Sequence, residues 1–153
     1  MRRVVCAAAV MFASIAIASA QTKPAAPAAV DPCSLLTKDD AAAALGEAVT
    51  GPKSTNVPGR AAACEYTGSG LHKINLSLMF LDAPTASMYK AMCAQKTKDG
   101  LTGLGDTTCW YNDKHEELQV LKGTTFFSIQ MRRSGDPTEA IKAAARKVYD
   151  RMK

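Results

Sequence analysis

The chain has 153 residues, a formal net charge of +5 and five cysteines. Without a leader carrying Arg2 and Arg3, 17 basic residues face 14 acidic ones, a net of +3. So mild an excess argues against nucleic acid, which calls for a clustered basic face, and fits only loose attraction to an anionic envelope surface.

The first 20 residues read as a signal peptide. Arg2-Arg3 form a charged start, Val4–Ile17 is almost wholly apolar, and Ala18-Ser19-Ala20 is a small-residue cleavage site, with cleavage expected after Ala20. The apolar run is too short to span a bilayer as a mature helix. Cys6 stands near the start of this segment rather than behind its apolar run, which argues against lipid attachment and a stable membrane anchor. The paired arginines suit ordinary or twin-arginine export, and the expected destination is the periplasm or the extracellular space. Four cysteines then remain, Cys33, Cys64, Cys93 and Cys109. An even number in an exported domain implies disulfides, in any of three connectivities. Long spacings without a C-x-x-C or a nearby histidine pair argue against metal, and no cofactor motif is visible.

Residues 21–30 (Q-T-K-P-A-A-P-A-A-V) form an alanine–proline linker with too little apolar bulk to fold. A single domain is expected over residues 31–153. Thr37 with Asp40 makes a capping-box start, Lys38–Leu45 is mostly alanine, and Gly46 is a C-cap. Leu35, Leu36, Ala42 and Leu45 offer the buried face of this helix, while Lys38, Asp39 and Glu47 stay wet. Ala48–Ser54 is a weak strand cut by Gly51-Pro52, and Asn56-Val57-Pro58-Gly59 reads as a turn. Ala61–Thr67 is a strand, Gly68-Ser69-Gly70 a turn, and Leu71–Leu81 the strongest strand, with Ile74, Leu76, Leu78 and Phe80 on one face. A second helix is expected over Ala86–Lys96 after Ala83-Pro84-Thr85, with Tyr89, Met92 and Cys93 on one side. A polar connection over Thr97–Gly105 follows.

Three strands then form a meander: Thr107–Asn112, Glu117–Leu121 and Thr124–Met131, joined by Asn112–His115 and by Lys122-Gly123. In the last helix, to Met152, Asp136 caps, Pro137 takes the first turn and Glu139 reaches back. Ile141, Ala144, Ala145, Val148 and Met152 line one stripe; Lys142, Arg146, Lys147 and Arg151 fill the other side. The pattern is α+β: an antiparallel sheet of about five to six strands, ending in a three-strand meander and packed by three helices.

Asp31-Pro32-Cys33-Ser34-Leu35-Leu36-Thr37, followed by Ala44-Leu45-Gly46, resembles the opening of a family of small secreted bacterial proteins of unknown function. Many of these are lipoproteins of actinobacteria. Cys64-Glu65-Tyr66, Gly103-Leu104-Gly105-Asp106, Trp110 and Val120-Leu121-Lys122-Gly123 fit the same pattern, over nearly the whole mature domain. This chain departs from it in lacking a lipobox cysteine. The resemblance implies an extracytoplasmic sensor or binding domain, the disulfides Cys33–Cys64 and Cys93–Cys109, and no catalytic residues.

Few residues offer chemistry. His72, in a strand, and His115, in a turn beside Glu116-Glu117, read as solvent-facing, because no constellation surrounds them. Asp39-Asp40 and Glu116-Glu117 read as solvated. Gly100, Gly103 and Gly105 read as turn glycines, since the chain continues into a strand and not into a helix N-terminus. Gly68-Ser69-Gly70 lacks the nucleophile-elbow pattern. An aromatic group remains: Trp110 beside Tyr111 and Phe126 beside Phe127, each pair pointing to opposite faces. With Lys73, Lys122 and Arg132 at its flanks, a sheet face of this kind suits a small ligand or a peptide; a helix covering that face as core is the plainer alternative. The expected function is that of a monomeric, non-catalytic, exported binding module for a small ligand or an envelope protein. A small envelope hydrolase or redox enzyme, marked by a free thiol or a His–carboxylate contact, and a structural envelope protein using the basic last helix are the alternatives.

Overall fold

The computed structural model describes residues 30–57, 61–96 and 101–152. The expected signal peptide, the expected linker up to residue 29, the Pro58-Gly59 part of the expected turn and residues 97–100 of the expected polar connection lie outside the described residues.

Ten elements follow one another: α1 (Pro32–Leu35), α2 (Lys38–Leu45), β1 (Thr50–Val57), β2 (Ala61–Thr67), β3 (Lys73–Phe80), α3 (Ala83–Ala94), β4 (Thr107–Trp110), β5 (Glu117–Lys122), β6 (Thr125–Arg132) and α4 (Thr138–Arg151). The strands form one six-stranded antiparallel sheet in the order β1-β2-β3-β6-β5-β4. It is two meanders, the second being the one predicted, joined by β3 against β6. Four helices stand where three were expected. The additional one is the single turn α1, capped by the Asp31 carboxylate accepting from the Cys33 N–H at 2.9 Å.

Local signals placed α2 to the residue. Thr37 and Asp40 exchange both capping-box bonds and Gly46 closes the helix with φ +75. Two local readings need correction. β1 is not cut at Gly51-Pro52 but runs through to Val57, absorbing the proline with a register shift between Thr50 and Lys53. It can do so because it is an edge strand, where a missing N–H costs no ladder bond. Helix α4 has no side-chain cap: Asp136 accepts from the Thr138 N–H (2.9 Å) just ahead of it, and Glu139 pairs forward with Lys142 (2.9 Å) instead of reaching back.

Alternation sorts the sheet into two faces. On the first, Cys64 and Tyr66, Ile74, Leu76 and Leu78, Phe127, Ile129 and Met131, Leu118 and Val120, and Trp110 join α1, α2 and α4 in the main core. The predicted α4 stripe of Ile141, Ala144, Ala145 and Val148 is buried there. On the second face a smaller cluster of Leu121 and Phe126 sits under Ala86 and Tyr89 of α3. Met92 points to solvent rather than toward the sheet, being 50% exposed, and Ala42 is only half-buried.

One glycine fixes the approach to β4. Gly105 has φ +64, and a Cβ there would collide with the carbonyl oxygen of Leu121 and the Val120 side chain. Gly105→Ala is expected to cost about 2–3 kcal/mol of stability in urea unfolding at neutral pH. A loss below 0.5 kcal/mol, roughly the noise of a surface change, contradicts this packing.

Candidate functional site

The structure disperses the predicted aromatic site. Trp110, Phe126 and Phe127 are 1%, 5% and 0% exposed, so they are core. Trp110 and Phe127 lie in the main core, and Phe126 is covered by Tyr89, edge-on at 4.9 Å between ring centroids. Both phenylalanines are lost to solvent because this end of the sheet is covered on both faces. Tyr111 is exposed as parity required, but it lies beyond β4, with the Lys96 ammonium 4.6 Å from its ring centroid. Lys122 sits at the other end of the sheet, 3.4 Å from the Met152 carbonyl oxygen and 5.2 Å from the Tyr149 ring centroid. Only Lys73 and Arg132 come together, as cross-strand partners of β3 and β6.

They stand at one end of the second face, where its composition changes. Among the described residues α3 is the only helix on this face, and it covers the β4–β5–β6 side, held by the Cys93–Cys109 disulfide. Across β1, β2, β3 and β6 the register lines up Thr55, Ala63, Ser77 and Ser128 in one row and Lys53, Glu65, Asn75 and Gln130 in the next. Their side chains are exposed or half-buried except for Ser128, which is 8% exposed. The result is a flat surface of amides, hydroxyls and small groups with a charged rim. Lys73 pairs with Glu65 across that rim at 3.3 Å. The Oδ1 of Asn75 is shielded from solvent yet has no hydrogen-bond partner among the described residues. A shielded acceptor left unpaired costs desolvation free energy that a bound donor recovers.

Arg132 also borders two shallow clefts. One of about 200 Å³ is lined by Thr67, Gly70, Leu71, His72, Lys73 and Arg132. The other, of about 360 Å³, includes Lys114, Glu116, Arg132, Arg133 and Asp136.

Neither histidine is a plain solvent-facing residue, which corrects the expectation. His115 stacks on Trp110 with centroids 4.5 Å apart, and its Nδ1 is 3.2 Å from the Thr138 hydroxyl. His72 joins three connections. Its Nδ1 is 2.8 Å from Oε1 of Glu47, in the α2–β1 loop, and its Nε2 is 3.0 Å from the hydroxyl of Ser134, in the β6–α4 loop. The Ser134 backbone N–H donates to the same Nε2 at 3.2 Å. Glu47 accepts further from the Ser69 hydroxyl at 2.5 Å and the Ser69 N–H at 3.0 Å. Those Ser69 bonds, with the His72 bond behind them, lower its pKa to about 2. Glu47 is therefore partly enclosed rather than wet, and the His–carboxylate contact not visible in the sequence is present.

The second acidic correction is Asp40, read as solvated and found 6% exposed under Lys147 and Arg151. All four cysteines of the described chain are bonded, Cys33 to Cys64 and Cys93 to Cys109, as the resemblance implied. Among the described residues no helix is long and apolar enough to cross a membrane. Comparison with protein-family models, with curated proteins and with solved structures yields no match.

Proposed function

We propose that the protein is an exported binding module whose recognition surface is the open half of the second sheet face, from Thr55 across Ser77 and Asn75 to Lys73 and Arg132. The carrying observation is that surface itself: a flat floor of amides and hydroxyls beside α3, with an unpaired shielded acceptor and a basic end. Such a floor suits a polar partner bearing an anionic group, because the arginine fork matches carboxylate or phosphate. No histidine stands in these rows and both cysteine pairs are bonded, so recognition rather than catalysis is the role assigned to this face. The resemblance to small secreted proteins with extracytoplasmic binding domains, and the two disulfides, support an oxidising compartment outside the cytoplasm.

The test is native mass spectrometry of the protein purified from its own envelope. A retained small molecule is expected, and it is expected to be lost from a Lys73→Ala/Arg132→Ala variant that melts at the wild-type temperature. A wild-type mass with nothing retained, or retention unchanged in that variant, counts against this face as a small-ligand site.

The envelope-adhesion reading loses support, because three of the four cations named on α4 are engaged in ion pairs within the fold. Lys147 and Arg151 bind Asp40, and Lys142 binds Glu139. One contact favours the hydrolase reading instead: the Glu47–His72 pair, next to the Arg132 end of the binding face.

A further inference from the structure

We propose that Ser134, His72 and Glu47 form a nucleophile–base–carboxylate relay that hydrolyses small esters bound at the edge of the cleft that His72 lines with Lys73 and Arg132. This rests on the hydrolase reading of the Glu47–His72 contact and adds its nucleophile, its base and its substrate class.

The order of atoms is the one that activates a hydroxyl. Serine Oγ lies 3.0 Å from one imidazole nitrogen, and the other nitrogen lies 2.8 Å from a carboxylate oxygen. Three separate loops supply the residues, so no sequence motif carries them. Glu47 accepts the proton of Nδ1, which leaves Nε2 as the acceptor; its single lone pair is shared between the Ser134 hydroxyl at 3.0 Å and the Ser134 backbone N–H at 3.2 Å, and the relay works when the hydroxyl holds it. Glu47, the third group that such a relay needs to keep its base oriented, is itself held by the Ser69 hydroxyl and N–H. The group is reachable: Ser134 is exposed, and the His72 and Glu47 side chains retain 27% and 26% exposure.

Loop stapling alone explains less. The Ser134 N–H already ties its loop to His72 and does not require a hydroxyl at the same nitrogen. The cleft beside His72 measures about 200 Å³ and ends in Lys73 and Arg132, which suits a short acyl group and an ester that carries an anion.

The step balances with water as the only co-reactant. Ser134 Oγ attacks the acyl carbon and its proton passes to His72 Nε2. The C–O bond of the ester then breaks, and the leaving alkoxide takes that proton. Water, deprotonated by the same Nε2, attacks the acyl-serine, and the acid leaves as the Ser134 hydroxyl is restored. Glu47 stays ionised throughout and holds the imidazolium; it is a positioning residue.

The experiment uses the oxidised mature protein with a fluorophosphonate probe and with p-nitrophenyl acetate. One adduct per chain, mapped to Ser134, is expected, and Ser134→Ala and His72→Gln are each expected to lower kcat by about 100-fold or more. Glu47→Gln is expected to lower kcat with KM unchanged, which a purely structural role does not produce. Because His72 and Glu47 also tie loops, each variant is read only after its melting temperature matches wild type, and the exposed Ser134→Ala serves as the decisive one. Turnover that persists in Ser134→Ala with no adduct there overturns the relay while leaving a hydrolase. No turnover and no adduct in the folded wild type overturns both.

Discussion

Replacing Asp40 by alanine is expected to remove about 2–3 kcal/mol of unfolding free energy, a large share of what holds a domain of this size together. Asp40 is 6% exposed and joins the N-terminal helices to α4. Its Oδ1 accepts from Lys147 at 2.9 Å, and its Oδ2 accepts from Arg151 and from the Thr37 hydroxyl at 2.7 Å. Removing the carboxylate strips Arg151 and Lys147 of their counter-charge and Thr37 of its cap partner at once. The pH dependence follows in sign. Burial disfavours the Asp40 carboxylate, but the hydrogen bonds from Arg151, Lys147 and Thr37 outweigh it and hold its pKa well below the usual range. A depressed folded-state pKa gives stability that is complete above the unfolded value of about 3.9 and drains away as pH falls below it. The gap between wild type and Asp40→Ala in urea unfolding is therefore expected to be widest near neutrality and to narrow as pH falls from about 5 toward 2. A gap independent of pH contradicts this account of the contact.

Loss of either disulfide is the other large effect, and the two are expected to differ in place more than in size. The chain separations of 31 and 16 residues correspond to about 4 and about 3 kcal/mol of lost loop-closure constraint. Cys33–Cys64 ties α1 to β2 inside the main core, so Cys33→Ser/Cys64→Ser lowers the global unfolding free energy. Cys93–Cys109 ties α3 to β4, and α3 has only Ala86 and Cys93 fully buried. In Cys93→Ser/Cys109→Ser, hydrogen exchange is expected to show α3 amides opening far ahead of the β-sheet, as a locally unstable unit does. Protection of α3 equal to that of β6 in this variant contradicts a weakly docked α3.

Local chemistry made much of the fold legible. The Thr37–Asp40 box with Gly46 bounded α2, the alternation Ile74, Leu76, Leu78 assigned the face of β3, and Lys122-Gly123 marked the β5–β6 hairpin. What failed depended on neighbours distant in sequence. Gly51-Pro52 looked like a break until β1 proved to be an edge strand. Phe126 and Phe127 obeyed strand parity, but α3 on one face and the helix-packed core on the other buried both. Of the candidate site, Lys73 and Arg132 were identifiable one by one, and their pairing waited on the β3–β6 register. Asp40 and His72 were misread for one reason: the groups that enclose Asp40 lie 107 and 111 residues away, and those around His72 lie 25 and 62 away. Polar residues in such short stretches look solvated whenever their partners are supplied by the tertiary fold.

The open half-face is the surface proposed to meet the partner. A photo-crosslinking amino acid placed at Ser77, in the middle of that face, and at exposed Ala143 on the far side of α4 probes it. Both variants are then irradiated in the producing cell. A discrete adduct from position 77 and none from position 143 is the predicted result, and an adduct from position 143 alone, or from neither, contradicts it.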